Sequence, residues 1–187
     1  MKKHFFSKPL VWGLILLGLA ACKSEEKRNQ SVGFNGGFEA FDDGLPVNWI
    51  VYSNKTVKDN DFDVLKDSID YAEGKSSLKF VVRTCSGKPG RFSPGFTNEF
   101  EAKVGATYKV SFKVKNKGCK WKMNVSGVNA FNGSEVKEIP GVDAALGWQS
   151  YECDYVMPEK MERLRLELNV LSAGELNIDD VKVDLKD

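Results

Sequence analysis

Thr107-Tyr108-Lys109-Val110-Ser111-Phe112-Lys113-Val114-Lys115 places Tyr108, Val110, Phe112 and Val114 on one side of an extended chain and Lys109, Ser111, Lys113 and Lys115 on the other. Successive side chains of a strand point to opposite faces, so this alternation marks a strand with one buried face and one wet face. The pattern returns in Ser77 to Arg83, where Leu78, Phe80 and Val82 oppose Lys79, Val81 and Arg83. It returns again near the C-terminus, where Leu164, Leu166, Leu168 and Val170 oppose Arg165, Glu167 and Asn169. Weaker strands run over Trp49 to Tyr52, Lys120 to Val125, Gln149 to Met157 and Leu176 to Val183, with turn sequences such as Asp43-Gly44-Leu45-Pro46 and Asn132-Gly133 between segments. No convincing helix interrupts them. Roughly six to nine short strands in this order predict an all-β domain, a sandwich or jelly roll.

One strand changes phase within itself: Leu176 and Ile178 share one face, Val181 and Val183 the opposite one, and the change falls at Asp179-Asp180. A β-bulge there returns both sets to the core and re-aims an aspartate. The alternative is an acidic turn at a strand end.

Outward from the domain, the N-terminus has a different character. Lys2, Lys3 and Lys8 appear with no acid, and Leu10 to Ala21 is an uncharged apolar run of twelve residues, short of the ~20 that span a bilayer and typical of a signal peptide. Leu19-Ala20-Ala21-Cys22 resembles the lipobox of bacterial lipoproteins, which implies cleavage before Cys22 and acylation of its thiol. The charged stretch that follows cannot bury a face and reads as a tether. Its opening, Lys23-Ser24-Glu25-Glu26, resembles the acidic export signal of surface lipoproteins of the Bacteroidetes, although a plain solvated tether has the same composition. The expected organisation is a signal peptide over 1–21, a lipidated cysteine and tether over 22–31 and a β-sandwich over 32–187. The expected address is the outer membrane, exposed on the cell surface and held by the lipid.

Loss of three leader lysines from 27 basic residues leaves 24 against 26 acidic ones. No basic patch or stripe of the kind that binds nucleic acid is evident. The leader also holds the single histidine, His4, so the mature chain lacks the residue needed for a Ser-His-Asp or Cys-His site or a His-ligated zinc. Of its remaining cysteines, Cys85 and Cys119 both lie beside glycine turns and a bridge between them stays open, whereas Cys153, mid-strand and in core phase, reads as a buried free thiol.

Five segments, in order, resemble the carbohydrate-binding modules of the family 4/9 and 22 group, whose fold is the galactose-binding-like jelly roll. They are Asn35-Gly36-Gly37-Phe38-Glu39 with Gly44-Leu45-Pro46 and Trp49; Ala72-Glu73-Gly74-Lys75-Ser76-Ser77-Leu78; Val104-Gly105-Ala106-Thr107-Tyr108 with the strand that follows; Gly147-Trp148 with Val156-Met157-Pro158; and Gly174-Glu175-Leu176-Asn177-Ile178-Asp179-Asp180-Val181. The resemblance implies a structural calcium held by the side chains of Glu39 and Asp180 and the carbonyls of Gly37 and Lys75. It also implies core roles for Trp49 and Trp148. Calcium takes six to eight oxygens, and the phase break at Asp179-Asp180 agrees with an inward aspartate; the alternative is a surface pair between Glu39 and Lys75.

A sugar site needs aromatic platforms for the apolar faces of pyranose rings and planar polar groups for their hydroxyls. Tyr52, Tyr71 and Phe131 lie near loops and are the candidate platforms, and Trp121 is in core phase with Met123 and Val125. Arg83, Asn124, Glu152, Arg165 and Glu167 are the candidate polar contacts, though solvated strand faces have the same composition. Catalysis would rest on a carboxylate pair such as Glu152 and Glu167, and nothing in the sequence singles that pair out. The expected function is therefore a membrane-anchored, non-catalytic module that captures or presents an oligosaccharide or polysaccharide, with partner surface proteins possible. The alternative is a structural or protein-docking lipoprotein on the same sandwich.

Overall fold

A computed structural model describes residues 29–129, 132–141 and 144–186. The leader, Cys22, most of the tether and Phe131 lie outside the described residues. Twelve strands follow in order: β1 Phe41–Asp42, β2 Leu45–Pro46, β3 Ile50–Tyr52, β4 Asp61–Asp67, β5 Ser77–Thr84, β6 Gly95–Glu101, β7 Thr107–Lys117, β8 Trp121–Val128, β9 Gly133–Pro140, β10 Gln149–Val156, β11 Arg163–Val170 and β12 Gly174–Leu185. β1 and β2 form a small hairpin. The others form two five-stranded antiparallel sheets, β10-β7-β12-β5-β4 and β3-β6-β11-β8-β9, the layers of a jelly-roll β-sandwich. The alternating strands stand as expected.

Three strands escape the pattern. β4 alternates, but its wet face is acidic and it sits at a sheet edge. β6 buries the polar Thr97 and Asn98 beside Phe96, and β9 is a polar edge strand ending in Pro140, where a missing N–H costs no ladder bond.

The core lies between the sheets. Phe62, Leu78, Phe80, Val110, Phe112, Leu176 and Ile178 meet Phe96, Met123, Val125, Leu164, Leu166 and Leu168, all essentially inaccessible to water. Burial of each such side chain contributes roughly 1.5 to 3 kcal/mol. Trp49 and Trp121 belong to this core, as expected. Trp148 does not, since it is only half-buried and lies outside the core cluster. The Gly147-Trp148 motif precedes β10, an edge strand, and at an edge there is a layer on one side only.

The phase break in β12 is a bulge. Pairing with β7 shifts register between Asp179 and Lys182, and Asp180 takes a left-handed φ of 54°. Leu176 and Ile178 before it, and Val181 after it, are all buried.

Around the bulge the opening segment, the 72–76 turn and the closing strand meet. Val181 N–H donates to the Gly36 carbonyl at 2.9 Å; a Cβ on Gly36 would stand 1.9 Å from the Val181 oxygen, so only glycine allows this approach. Two carboxylates hold the turn. Asp179 Oδ2 accepts the N–H groups of Ala72 (2.8 Å) and Glu73 (3.0 Å), and Glu39 Oε1 accepts those of Lys75 (2.8 Å) and Ser76 (3.2 Å). Gly74, with φ of 69°, leaves room for the Glu39 carboxylate, which a Cβ would approach to 2.1 Å.

Asn48 ties the start of the domain, donating to the carbonyls of Asn29 (3.0 Å) and Gly33 (2.7 Å). The three described cysteines are free thiols. Burial, aided by neighbouring Cys85 and Glu175, pushes the Cys119 thiol up to about 12. Cys153 is half-buried against the core, and burial raises its thiol also.

Candidate functional site

β11 runs down the centre of the second sheet. Its leucines point into the core, so Arg163, Arg165, Glu167 and Asn169 stand on the outer face. Register lines up their neighbours. Glu167 sits between Thr97 of β6 and Asn124 of β8, with Ile50 beyond Thr97 and Glu138 beyond Asn124. The next row is Glu99, Arg165, Ser126 and Val136. On the other side, Tyr52, Gly95, Asn169, Lys122 and Pro140 share a row.

This face therefore gathers four expected contact residues from distant segments: Tyr52, Asn124, Arg165 and Glu167. Their interactions are specific. Tyr52 Oη donates to Glu167 Oε1 at 2.6 Å. Burial first, and then the Glu167 carboxylate, push the Tyr52 phenol well above its ordinary range, so it remains a donor throughout the physiological range. Glu99 joins two arginines, accepting from Arg165 Nε at 2.7 Å through Oε1 and pairing with Arg163 at 3.0 Å through Oε2. Lys122 pairs with Glu138 at 2.5 Å. Asn124 Oδ1, between Glu138 and Glu167, is buried and meets no hydrogen-bond donor among the described residues.

The loop after β5 closes one end of the face, because Asn169 Nδ2 donates to the Gly90 carbonyl (3.1 Å) and Gly90 N–H returns a bond to Asn169 Oδ1 (3.0 Å). The same loop carries Phe92, 64% exposed. Phe92, Ile50, Thr97, Glu99, Lys122 and Glu138 were missed as site residues. For Phe92 a signal existed: an aromatic alone inside Gly87-Lys88-Pro89-Gly90-Arg91-Phe92-Ser93-Pro94-Gly95 has no strand phase to bury it. The others needed the register.

Other expectations are corrected. Tyr52 is not a loop platform; it lies at the end of β3, is only 6% exposed, and its hydroxyl is engaged. Arg83 and Glu152 lie on the outer face of the first sheet. There Arg83 is held by Asp61 (2.6 Å) and Asp63 (2.7 Å), and Glu152 pairs with Lys109 at 2.7 Å. Tyr71, 43% exposed, does lie in a loop, the turn between β4 and β5 of the first sheet.

The expected calcium set meets the same test. Opening segment, turn and bulge do converge, with Gly37 half-buried between them. The donors do not fit a cation as they stand. Glu39 Oε1 is occupied by amides, to which Lys75 contributes its own N–H. Both Asp180 oxygens face ammonium groups, Lys182 at 2.6 Å and Lys113 at 3.1 Å. The aspartate turned toward the 72–76 turn is Asp179. Among the described residues no three His, Cys, Asp or Glu side chains gather in a way that would hold a metal ion.

A jelly-roll sandwich with a polar outer sheet face and one loop folded over its end defines the class: a jelly-roll β-sandwich module. Solved structures agree on the fold. A CBM4 module matches with a TM-score of 0.59 at 17% identity, over 81% of this chain and 98% of its own. The CBM22-1 xylan-binding domain of Paenibacillus barcinonensis Xyn10C matches with a TM-score of 0.56 at 15% identity, over 80% and 91%. The enzymatically active domain of tailspike protein 4 of bacteriophage CBA120 matches with a TM-score of 0.64 at 17% identity; 81% of this chain is covered, and this chain spans about a fifth (21%) of the tailspike domain. No protein-family model and no curated protein matches the sequence. The chain thus has the fold of the family 4 and 22 carbohydrate-binding modules.

Proposed function

We propose that this protein is a non-catalytic glycan-binding module, anchored in the outer membrane through lipid on Cys22 and displayed at the cell surface. The observation that carries the reading is the outer face of the second sheet, where Asn124 Oδ1 lies buried between Glu138 and Glu167 with no donor among the described residues. A buried acceptor without a partner costs roughly 1 to 3 kcal/mol, and a ligand hydroxyl would satisfy it once the side chains that cover it move aside. Glu167 and Glu138 offer further acceptors in the same row, Arg163 and Arg165 offer donors, and Phe92 offers an exposed apolar ring on the loop that Asn169 holds. A polyhydroxy ligand fits this mixture. The fold shared with the CBM4 module and the CBM22-1 xylan-binding domain supports the same class of ligand.

The carboxylate pair that the sequence offered for catalysis is not brought together, which supports binding without cleavage. Glycosidases hold their pair about 5 to 9.5 Å apart. Glu152 and Glu167 stand on opposite outer faces of a sandwich whose sheets alone are ~10 Å apart.

A glycan array with the purified full chain, followed by calorimetry on the best hit, tests the reading. Affinity is expected in the micromolar range or weaker, since ordering and desolvation offset much of the contact energy. Asn124→Ala and Glu167→Ala should each weaken binding about tenfold, the loss of roughly one good hydrogen bond, and Phe92→Ala should weaken it without lowering the melting temperature. Arg83→Ala and Glu152→Ala, on the other sheet, should bind as the parent does. No binding to any glycan at millimolar sensitivity by the folded protein would sink the reading.

Protein docking is the second reading, favoured by the exposed Ile50 and Val136 at the ends of adjacent rows. Ile50→Ser would then abolish partner capture while glycan binding stayed absent from the parent.

The anchor has its own test. Mass spectrometry of membrane-extracted protein should find Cys22 as an acylated N-terminus, and Cys22→Ala should leave the chain unprocessed or soluble. An unmodified Cys22 in the membrane fraction would rule the anchor out.

A further inference from the structure

We infer that Lys113 and Lys182 supply at the closing bulge the positive charge that a bound calcium ion would supply, so that this sandwich is held there by an internal ion cluster and folds without metal. The cluster is built by register. Lys113 of β7 stands opposite Asp179, and Lys182 stands opposite Ser111, the next outward position of the same strand. Between them the bulge turns Asp180 toward both ammonium groups. Lys182 Nζ lies 2.6 Å from Asp180 Oδ1 and Lys113 Nζ 3.1 Å from Oδ2, while Glu73 approaches the same two lysines at 3.6 and 3.8 Å.

Two cations meet two anions, so the cluster is neutral. The Asp180 side chain is 13% exposed, and a carboxylate that covered requires a counter-charge. Calcium would need six to eight oxygens at a point where both Asp180 oxygens already have partners and two ammonium groups would repel it. The neighbouring carboxylates are also engaged: Glu39 holds the amides of Lys75 and Ser76, and Asp179 holds those of Ala72, Glu73 and Asp180. The turn that a metal would brace is braced by hydrogen bonds instead.

Thermal unfolding of the purified full chain in calcium chloride and in excess EDTA, with metal analysis of the same sample, is the first measurement. The two melting temperatures should coincide and calcium should be absent at stoichiometric level. A melt lowered by EDTA and restored by calcium would overturn the inference. The second measurement removes the charges and keeps the apolar stems: Lys113→Met with Lys182→Met should lower the melting temperature by roughly 3 °C or more. Lys109→Met, whose partner Glu152 is well exposed, should leave it unchanged, as exposed pairs contribute little. A double variant that melts with the parent would also overturn the inference. The EDTA comparison stands on the parent protein alone, so it decides the matter even if the double variant fails to fold.

Discussion

Asp179→Ala should destabilise the fold by about 3 to 5 kcal/mol, because it leaves three backbone N–H groups without their acceptor at a buried site. Those groups belong to Ala72, Glu73 and Asp180, at 2.8, 3.0 and 2.7 Å from the carboxylate, and Asp179 itself is fully buried. For a domain of this size each kcal/mol moves the melting temperature by roughly 2 to 4 °C, so a fall of about 6 to 20 °C is expected. Asp179→Asn separates geometry from charge. It keeps an oxygen toward the turn and loses one bond, to the Asp180 N–H, at about 1 kcal/mol.

The pH dependence has a definite sign. Burial, opposed by the three amide bonds, leaves the folded carboxyl above its ordinary value. A raised carboxyl pKa means that the native state binds the proton more tightly. Its contribution to stability is therefore present below the unfolded value of ~3.9 and is lost as pH rises through the folded one. The Asn variant lacks that loss, so its deficit against the parent should be smaller at pH 7 than at pH 4. Urea unfolding at the two pH values measures this; an Ala variant as stable as the parent would show that the clasp contributes nothing.

Trp49→Ala carries the second large effect. Trp49 is 6% exposed, with ring centroids 5.2 Å from Phe34, 5.2 Å from Phe38 and 4.7 Å from Phe96, and its Nε1 donates to the Asn35 carbonyl at 3.0 Å. Removing a buried indole costs ~3 to 5 kcal/mol. The Asn35 carbonyl also loses one of its two donors, keeping the Phe38 N–H at 3.2 Å, in the segment that carries Gly36 and Glu39. Trp148→Ala should cost under about 1.5 kcal/mol, since a half-buried ring outside the core leaves no cavity to maintain. Denaturant midpoints of the two variants give the comparison directly, and equal losses would return Trp148 to the core.

Much of this architecture is local information. The alternation in β5, β7 and β11 announces strands because an extended chain turns successive side chains to opposite faces whatever lies beside it. The phase break at Asp179-Asp180 is legible for the same reason, but only the pairing of β12 with β7 separates a bulge from an acidic turn. Gly36 and Gly74 sit in legible motifs, but the space that a Cβ would take is filled by Val181 and Glu39, which only the fold brings there.

The composition of the site is not local. Arg83, Glu152, Arg165 and Glu167 look alike in sequence, each a charged residue on the wet face of a strand, yet the first two stand on one sheet and the last two on the other. Nothing in a strand's own pattern says which sheet it joins. Tyr52 looks like a loop ring until β3 pairs with β6 and brings its hydroxyl to Glu167, 115 residues away in sequence. Asp180 looks like a metal ligand until β7 sets Lys113 beside it.

By itself, then, the sequence determined the alternating strands and their buried faces, since each depends on backbone geometry within a few residues. Only the tertiary structure decided which polar faces share a surface and which charges neutralise Asp180. Those outcomes depend on strand pairing between distant segments, and an outward-facing charge carries no local record of the neighbour it will meet.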